Sequence, residues 1–308
     1  MNNMDVVTGA FGYIGKYIAR ELISSGKSVK TITTHPDKPN PFGESVVAFA
    51  YNFDDPDRLF EILRGTDTLY NTYWVRFNYQ AWSFDRALAN TKILFECAKL
   101  AGVRKIVHIS VTNVSQDDEL PYYRGKAYQE KALRELGLPY SIIRPTLVFG
   151  VEDILVNNIA WTVRTFPVVP IFGNGEYRVQ PVFVEDLAKI AVESARGEGS
   201  MTLDAIGPET ITYKELICLM AEILDLNVRL VHIPPRLGIL LGKVIGAYVG
   251  DVLLTEDELR GLMLNKLTSL GTPNGSTKFS DWMRLNRDIV GKTYTSEVER
   301  HFHWKAPA

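Results

Sequence analysis

The feature that most restricts the fold of this 308-residue chain is its start, where a strand runs into a glycine-rich turn and then a helix. Val6 and Val7 are followed by Gly9, Gly12 and Gly15 at intervals of three. Gly9 permits a tight turn, Gly12 has no side chain to obstruct a pyrophosphate, and Gly15 allows a helix to pack closely on a sheet. Because N–H groups at a helix N-terminus attract anions, this segment predicts a dinucleotide-binding turn.

Short apolar strands alternate with amphipathic helices over the first 150 residues, a pattern typical of a parallel sheet with helices on both faces. We therefore predict an α/β fold, a doubly wound parallel sheet of the Rossmann type with a smaller, mainly helical C-terminal domain. After the first strand, the predicted elements are strands at Ser28–Thr33, Val46–Tyr51, Thr68–Thr72, Arg104–Ser110 and Tyr140–Ile143, and a helix over about Lys126–Leu136.

Two regions are expected from this pattern. Residues 1–150 form the nucleotide-binding domain, and residues 180–200 return to it with a further helix. Residues 151–179 and 201–308 form a substrate-binding region, because proline and glycine interrupt the alternation after Gly150.

Composition excludes several functional classes. With 34 Lys and Arg against 36 Asp and Glu, the net charge of -2 gives no reason to expect nucleic acid or an anionic membrane as a partner. Cys97 and Cys218 are far apart in apolar helical contexts, which favours buried thiols over a disulfide or metal site. The apolar run Leu237–Leu254 is interrupted by Lys243 and Asp251 and is too short to span a bilayer. We expect a cytoplasmic protein without a metal.

Four glycines recur every four residues within that apolar run. On a helix they form one smooth stripe, which favours close helix packing inside the domain; a dimer contact or the wall of a ligand channel are the alternatives. They are Gly238, Gly242, Gly246 and Gly250.

Tyr122 and Lys126 are separated by one helical turn, so a helix presents both side chains on one face. An ammonium beside a phenol lowers the phenol pKa from about 10 and makes it a usable acid–base group. A surface Tyr–Lys pair is the common alternative. The position of the pair, on the helix after the fifth strand of a chain with a dinucleotide turn, favours catalysis.

Taken together, these segments resemble an atypical extended short-chain dehydrogenase/reductase of the NmrA-like kind, similar to the respiratory complex I subunit of 39 kDa type and to prokaryotic NAD-dependent epimerase/dehydratase proteins. The resemblance extends from residue 4 to about residue 225. Besides the glycine turn and the Tyr122/Lys126 pair, the matching segments are Arg144-Pro145-Thr146, Gly173-Asn174-Gly175, Gln180-Pro181-Val182-Phe183-Val184-Glu185-Asp186 and Gly207-Pro208-Glu209.

The resemblance implies a role for each matching position. Tyr122 would be the acid–base group, and Lys126 would hydrogen-bond the nicotinamide ribose. Cofactor contacts are implied for Gly9, Phe11, Gly12, Tyr13, Ile14, Gly15, Asn52, Phe53, Asn71, Thr72, Tyr73, Pro145, Thr146 and Val148. An aromatic-rich stretch with Trp74 and Arg76 would line the entrance, unless it is core or lid packing, and Trp161 and Arg178 would close the pocket from the C-terminal side.

One departure from the family pattern concerns the hydroxyl that orients the substrate oxygen at the end of strand five. Val111 occupies the expected position and cannot donate a hydrogen bond. Ser110 and Thr112 flank it, and both stay candidates. Asn113 and Val114 stand where sugar-nucleotide dehydratases carry acidic residues, which weighs against dehydration.

The end of strand two bears on the choice of cofactor. An aspartate there binds the ribose hydroxyls of NAD, and an arginine pairs with the phosphate of NADP. This chain has Thr34 and His35, with Lys38 nearby and no carboxylate at that point. NADP(H) is therefore favoured over NAD(H).

Two functions from different classes follow. The first is an NAD(P)-dependent oxidoreductase or nucleoside-diphosphate-sugar epimerase-like enzyme, with hydride transfer at a carbon–oxygen centre of a small-molecule substrate. The alternative is an NAD(P)H-binding regulatory or assembly protein without turnover. The resemblance also implies a homodimer, formed through helices beside the site.

Overall fold

The computed structural model describes residues 4–252 and 254–301, and the chain divides into two compact units. The first comprises Met1–Pro145 and Val184–Ala205, and the second comprises Thr146–Phe183 and Ile206–Ala308. Residues 302–308 of the expected C-terminal region lie outside the described part. None of the helices in the described ranges combines the length and apolarity needed to cross a membrane.

Seven parallel strands form the sheet of the first unit. Their order is β11-β6-β5-β4-β1-β2-β3, so the direction of winding reverses between β1 and β4. Numbered along the whole chain, they are β1 Met4–Thr8, β2 Ser28–Thr33, β3 Val46–Ala50, β4 Thr68–Asn71, β5 Lys105–Ile109, β6 Tyr140–Pro145 and β11 Met201–Ala205. A crevice forms at such a reversal, and α/β proteins place their ligands there.

Helices flank this sheet and bury their apolar faces on it. They are α1 Tyr13–Ser24, α2 Pro56–Leu63, α3 Phe84–Leu100, α4 Pro121–Glu135 and α6 Val184–Ser194. Side-chain caps start two of them: Asp55 accepts from the Arg58 N–H and Ser83 from the Arg86 N–H. The Rossmann-type doubly wound sheet predicted from the sequence is confirmed.

Helix α4 begins five residues earlier than its sequence periodicity indicates. Pro121 occupies the first turn, where a missing N–H costs nothing and a fixed φ suits the helix. Tyr122 and Lys126 consequently both lie within α4, one turn apart.

Lys105 is a fully buried lysine on β5 with a structural role. Its ammonium donates to the carbonyl oxygens of Ser194 (2.8 Å), Gly197 (2.9 Å) and Gly199 (3.0 Å). These carbonyls belong to the end of α6 and the turn that follows, so the side chain fastens that turn to the sheet. Burial lowers the pKa of Lys105, and the positive charge of Arg104 lowers it further.

The second unit contains short two-stranded sheets, β10-β7, β12-β9 and β13-β8, surrounded by helices. Its strands are β7 Leu147–Phe149, β8 Val168–Phe172, β9 Arg178–Val179, β10 Pro181–Phe183, β12 Ile211–Thr212 and β13 Arg229–Ile233. Its helices are α5 Ile154–Thr165, α7 Tyr213–Ile223, α8 Pro235–Val249, α9 Glu256–Met263, α10 Phe279–Leu285 and α11 Glu297–His301. Because β7 pairs with β10, the boundary between units falls at Pro145 and not at residue 150.

The four-residue glycine series lies on α8, but its members differ in role. A Cβ atom at Gly238 would lie 2.3 Å from a ring carbon of Phe172, so the helix approaches β8 closely at this point. Around Gly242, the nearest atom to an added Cβ is the Leu254 carbonyl oxygen at 4.0 Å. Gly250 ends the helix at φ +70°, a left-handed conformation that favours glycine.

Candidate nucleotide-binding and active site

The glycine turn has the geometry that a dinucleotide requires. Gly9 has φ +67°, and the Gly12 N–H donates to its carbonyl oxygen at 2.8 Å. A Cβ atom at Gly15 would lie 2.4 Å from the Gly9 carbonyl oxygen and 2.8 Å from its carbonyl carbon. The left-handed φ of Gly9 and the backbone contact of Gly15 both favour glycine, so backbone atoms line the turn, which we call the cradle.

Helix α1 starts from this turn without a side-chain cap, because its N-cap residue is Gly12. The N-terminal end of the helix dipole therefore points to the cradle, which suits a pyrophosphate. Of the other residues implied here, Phe11 and Gly15 are buried, and Tyr13 and Ile14 are half-buried.

Thr8 ties the ends of β1 and β4 together. Its hydroxyl donates to Asn71 Oδ1 at 3.2 Å and accepts from the Thr72 N–H at 2.7 Å and the Tyr73 N–H at 3.1 Å. The three residues that the resemblance places along the cofactor, Asn71, Thr72 and Tyr73, are thus locked to the strand that leads into the glycine turn.

Three aromatic rings cluster at the ends of β3 and β4. The Tyr51 ring stacks on Phe53 with centroids 4.9 Å apart, and Tyr73 lies 4.9 Å from Tyr51 and 5.2 Å from Phe53. Asn90 Nδ2 donates to the Tyr73 hydroxyl at 2.9 Å. Asn52, also implied as an adenine contact, donates through its side chain to the Ala50 carbonyl oxygen at 3.0 Å. The sequence analysis placed Tyr51 at the end of a strand and gave it no role in the site.

Thr34 and His35 follow directly after β2. Thr34 is exposed, and His35 is half-buried with its N–H donated to Thr33 Oγ1 at 3.4 Å. The end of β2 thus presents an uncharged, exposed side chain to solvent.

Lys126 is buried on α4 and holds its ammonium at the end of β5. Its Nζ donates to the Ile109 carbonyl oxygen at 2.9 Å and lies 5.1 Å from the centroid of the Trp74 ring. Burial lowers the pKa of Lys126 to about 7, against a smaller opposing effect of the Glu130 carboxylate. The charged form of Lys126 is therefore much less favoured than that of an exposed lysine.

Trp74 lies against α4 between Tyr122 and Lys126. A Cβ atom at Gly125 would be 2.7 Å from the indole, so the contact needs glycine. Tyr122 meets the Trp74 ring edge-on with centroids 6.3 Å apart. Trp74 thus covers the face that carries the Tyr122/Lys126 pair. Arg76, two residues along, is half-buried.

The Ser110 hydroxyl forms a hydrogen bond within the protein, to a buried carboxylate. Its Oγ donates to Glu130 Oε1 at 2.7 Å, and Arg144 holds the same carboxylate through Nε at 2.8 Å and Nη2 at 2.6 Å. Burial would raise the pKa of Glu130, but hydrogen bonds from Arg144 and Ser110 outweigh it and keep the pKa below its usual value. Ser110 thus donates its only hydroxyl proton to the carboxylate of the buried Glu130–Arg144 ion pair.

Val111 and Thr112 complete the end of strand five. Val111 packs in an apolar cluster with Leu120 and Tyr123. Thr112 is buried, and its backbone N–H donates to the Pro145 carbonyl oxygen at 3.1 Å.

A buried polar pair links β4 to β5 beside Lys126, and sequence reasoning missed it. Asn71 Nδ2 donates to His108 Nδ1 at 3.0 Å. Burial, with the nearby Lys126 charge, lowers the pKa of His108 well below its usual value, so the ring is neutral with its proton on Nε2. A histidine two positions before Ser110, directly after the apolar Ile106 and Val107, was the available signal.

The other implied residues belong to the second unit. Thr146 is buried, and Val148 lies half-buried on β7. Trp161 on α5 packs edge-on against Phe166 and Tyr294, with centroids 5.6 and 5.2 Å away. The Arg178 side chain is exposed on β9.

Comparison with known proteins agrees with the geometry of the first unit. Residues 9–151 match a family model described as NAD(P)H-binding. This segment is an NAD(P)H-binding family domain. The mitochondrial NADH dehydrogenase (ubiquinone) 1 alpha subcomplex subunit 9 of Arabidopsis thaliana is 24% identical to the present chain over 296 residues, covering 89% of the present chain and 72% of the subunit. The present chain spans 54% of the length of the rat subunit of the same name.

Solved structures of other proteins share the fold of the present chain. Citrobacter sp. triphenylmethane reductase complexed with NADP(H) has a TM-score of 0.67 at 17% identity, covering 98% of this chain and 99% of that one. MoeE5 in complex with UDP-glucose and NAD has a TM-score of 0.65 at 23% identity, covering 92% and 99%. The chain therefore has the fold of the extended short-chain dehydrogenases and epimerases.

Proposed function

We propose that the chain is an NAD(P)H-dependent oxidoreductase that holds its dinucleotide along the Gly9–Gly15 turn and acts at a carbon–oxygen centre. The observation that carries the proposal is the burial of the Lys126 ammonium one helical turn from Tyr122, in the unit that contains the turn. When bound, the nicotinamide would supply or accept the hydride. The same arrangement would serve a nucleoside-diphosphate-sugar epimerase.

In this proposal Tyr122 moves the proton. Its phenol would donate to, or accept from, the substrate oxygen, and the Lys126 ammonium would favour the phenolate and hydrogen-bond the ribose. A group with a pKa of about 7 responds to small changes in its surroundings at neutral pH. Since the Trp74 ring lies over Lys126, a ligand would approach the ammonium along the edge of this indole.

The second candidate is an NAD(P)H-binding subunit or assembly protein without turnover, in keeping with the relatives named as NADH dehydrogenase subunits. A specific observation favours it: the Ser110 proton is donated to Glu130, and the neighbouring position is the apolar Val111. The substrate oxygen would then depend on Thr112 for the hydroxyl partner that family enzymes provide.

Nucleotide titration tests the part that both candidates share. We expect NADPH to bind more tightly than NADH, because Thr34 at the end of β2 is exposed and carries no charge to repel a 2′-phosphate. The measurement is the change in nicotinamide fluorescence on titration with each reduced cofactor at one salt concentration. Tighter NADH binding would reverse the preference, and binding of neither cofactor would refute both candidates.

Turnover separates the two candidates. We expect Tyr122→Phe to lower NADPH oxidation by about 100-fold or more against a panel of aldehydes, ketones and quinones, since a positioned acid–base group contributes about 10²–10⁴-fold. Nucleotide affinity should change little. Tyr128→Phe, on the exposed side of the same helix, is the matched control. If the wild type binds NADPH but oxidises it with none of the panel, the second candidate is favoured.

A further inference from the structure

Helix α8 in the second unit presents large apolar side chains to solvent. Leu237, Leu240 and Val244 are 43%, 57% and 61% exposed. Their spacing of three and four residues places them on one side of the helix. Full helical turns of exposed leucine and valine are uncommon on a soluble surface and mark a site of contact.

The two charged residues of α8, Arg236 and Lys243, are both basic. Between residues 226 and 250 the charged residues are Arg229, Arg236 and Lys243, without any aspartate or glutamate. Arg236 and Lys243 are exposed on α8 and fall on the same side as the apolar residues at 100° per residue. We call Arg236, Leu237, Leu240, Lys243 and Val244 the α8 face. The net charge of the whole chain is -2, so this local excess of positive charge does not show in the overall composition.

The β8–β13 sheet next to α8 also exposes apolar and basic side chains. Val168 on β8 is exposed and pairs with the exposed Arg229 on β13. Phe166, just before β8, is also exposed. Helix α8 follows β13 directly and packs on β8 where Gly238 meets Phe172. Exposed apolar or basic side chains thus occur on β8, β13 and α8, three elements of the second unit that contact one another.

We propose that the α8 face binds the surface of an anionic lipid bilayer, with the helix lying in the plane of the membrane. Apolar side chains would enter the boundary between headgroups and acyl chains, and Arg236 and Lys243 would reach the anionic headgroups. Fifteen helical residues extend about 22 Å, less than the hydrocarbon thickness, so the helix lies on the bilayer and does not cross it. The one-signed charge favours lipid over a second copy of this chain, whose own α8 face would repel it.

Vesicle flotation tests the proposal with the full chain. We expect co-flotation with vesicles of phosphatidylcholine and phosphatidylglycerol, weakened by salt, and little with phosphatidylcholine alone. L240E/V244E should reduce the bound fraction to background. R236Q/K243Q should lower the partition coefficient by about 25-fold, since each cation near an anionic surface contributes about fivefold.

Leu285→Glu is the matched control, because Leu285 is an exposed leucine on α10 outside the α8 face. It should leave flotation unchanged, and circular dichroism should show that all variants are folded. Absence of wild-type binding to anionic vesicles would overturn the proposal, as would equal binding by L240E/V244E. Light scattering that showed a dimer dissociated by L240E/V244E would assign the face to a second copy instead.

Discussion

Replacing Gly15 by alanine is expected to abolish dinucleotide binding and to destabilise the first unit by about 3 kcal/mol, the upper range for a forced steric insertion. The added methyl carbon would lie 2.4 Å from the Gly9 carbonyl oxygen and 3.0 Å from that of Thr8. Both are backbone atoms, so relief requires α1 to move away from β1. Urea denaturation gives the change in stability, and NADPH fluorescence gives the change in affinity.

Two further glycine variants separate packing from ligand contact. At Gly12 an added Cβ would lie 3.1 Å from the Gly9 carbonyl oxygen, a contact that a small adjustment relieves. Gly12→Ala should therefore keep most of the stability but lose most of the affinity, because the methyl group would project into the path of the pyrophosphate. Gly197→Ala should change neither, since no atom lies within 4 Å of its added Cβ. Wild-type affinity in Gly12→Ala would place the pyrophosphate elsewhere.

Local signals explain how much of the fold could be predicted. The bounds of β2, Ser28–Thr33, follow from a short β-branched run bounded by turn residues. The glycine turn could be predicted equally well, because the steric reasons for Gly9, Gly12 and Gly15 all lie within one seven-residue segment. Helix α4 was placed too late since its first turn, Pro121 to Gly125, has little apolar periodicity, and proline there signals a start only once the helix is known.

The site was harder to predict because its side chains contact residues that are distant in sequence. Spacing alone left Ser110 and Thr112 equivalent as hydroxyl donors. The hydrogen bond from Ser110 to Glu130 joins residues twenty positions apart and depends on how α4 packs on β5. Likewise the contact of Trp74 with Gly125 connects the loop after β4 to α4, and no periodic pattern reports it.

The two buried lysines of the first unit show how the same residue type serves structure in one place and a candidate site in another. Lys105 donates to three carbonyl oxygens, whereas the hydrogen bond of Lys126 that the structure describes goes to Ile109. Burial lowers the pKa of both. Lys105 has three carbonyl acceptors and Lys126 has one that the structure describes, so less of the desolvation cost is offset at Lys126 and the folded protein retains it at a cost in stability. Groups kept at such a cost concentrate at functional sites.

Lys126→Met is accordingly expected to stabilise the protein at pH 6 by about 4 kcal/mol, after about 1 kcal/mol is subtracted for the lost hydrogen bond. The pKa of Lys126 falls from 10.5 to about 7 on folding. Between these values the unfolded chain binds more protons than the folded one, so the wild type recovers stability as the pH rises from 7 to 10.5. The advantage of the variant should therefore shrink over this range and vanish by about pH 10.

Urea denaturation of wild type, Lys126→Met and Lys105→Met at pH 6, 8 and 10 measures these differences at pH values chosen on either side of the lysine titration. Lys105→Met is the control for exchanging a buried lysine, and it should destabilise by about 3 kcal/mol because three carbonyl groups lose their donor. A Lys126→Met protein that is less stable than wild type at pH 6 would show that the ammonium is structural. If Lys126→Met is more stable than wild type and loses NADPH affinity, Lys126 contributes to ligand binding and not to stability.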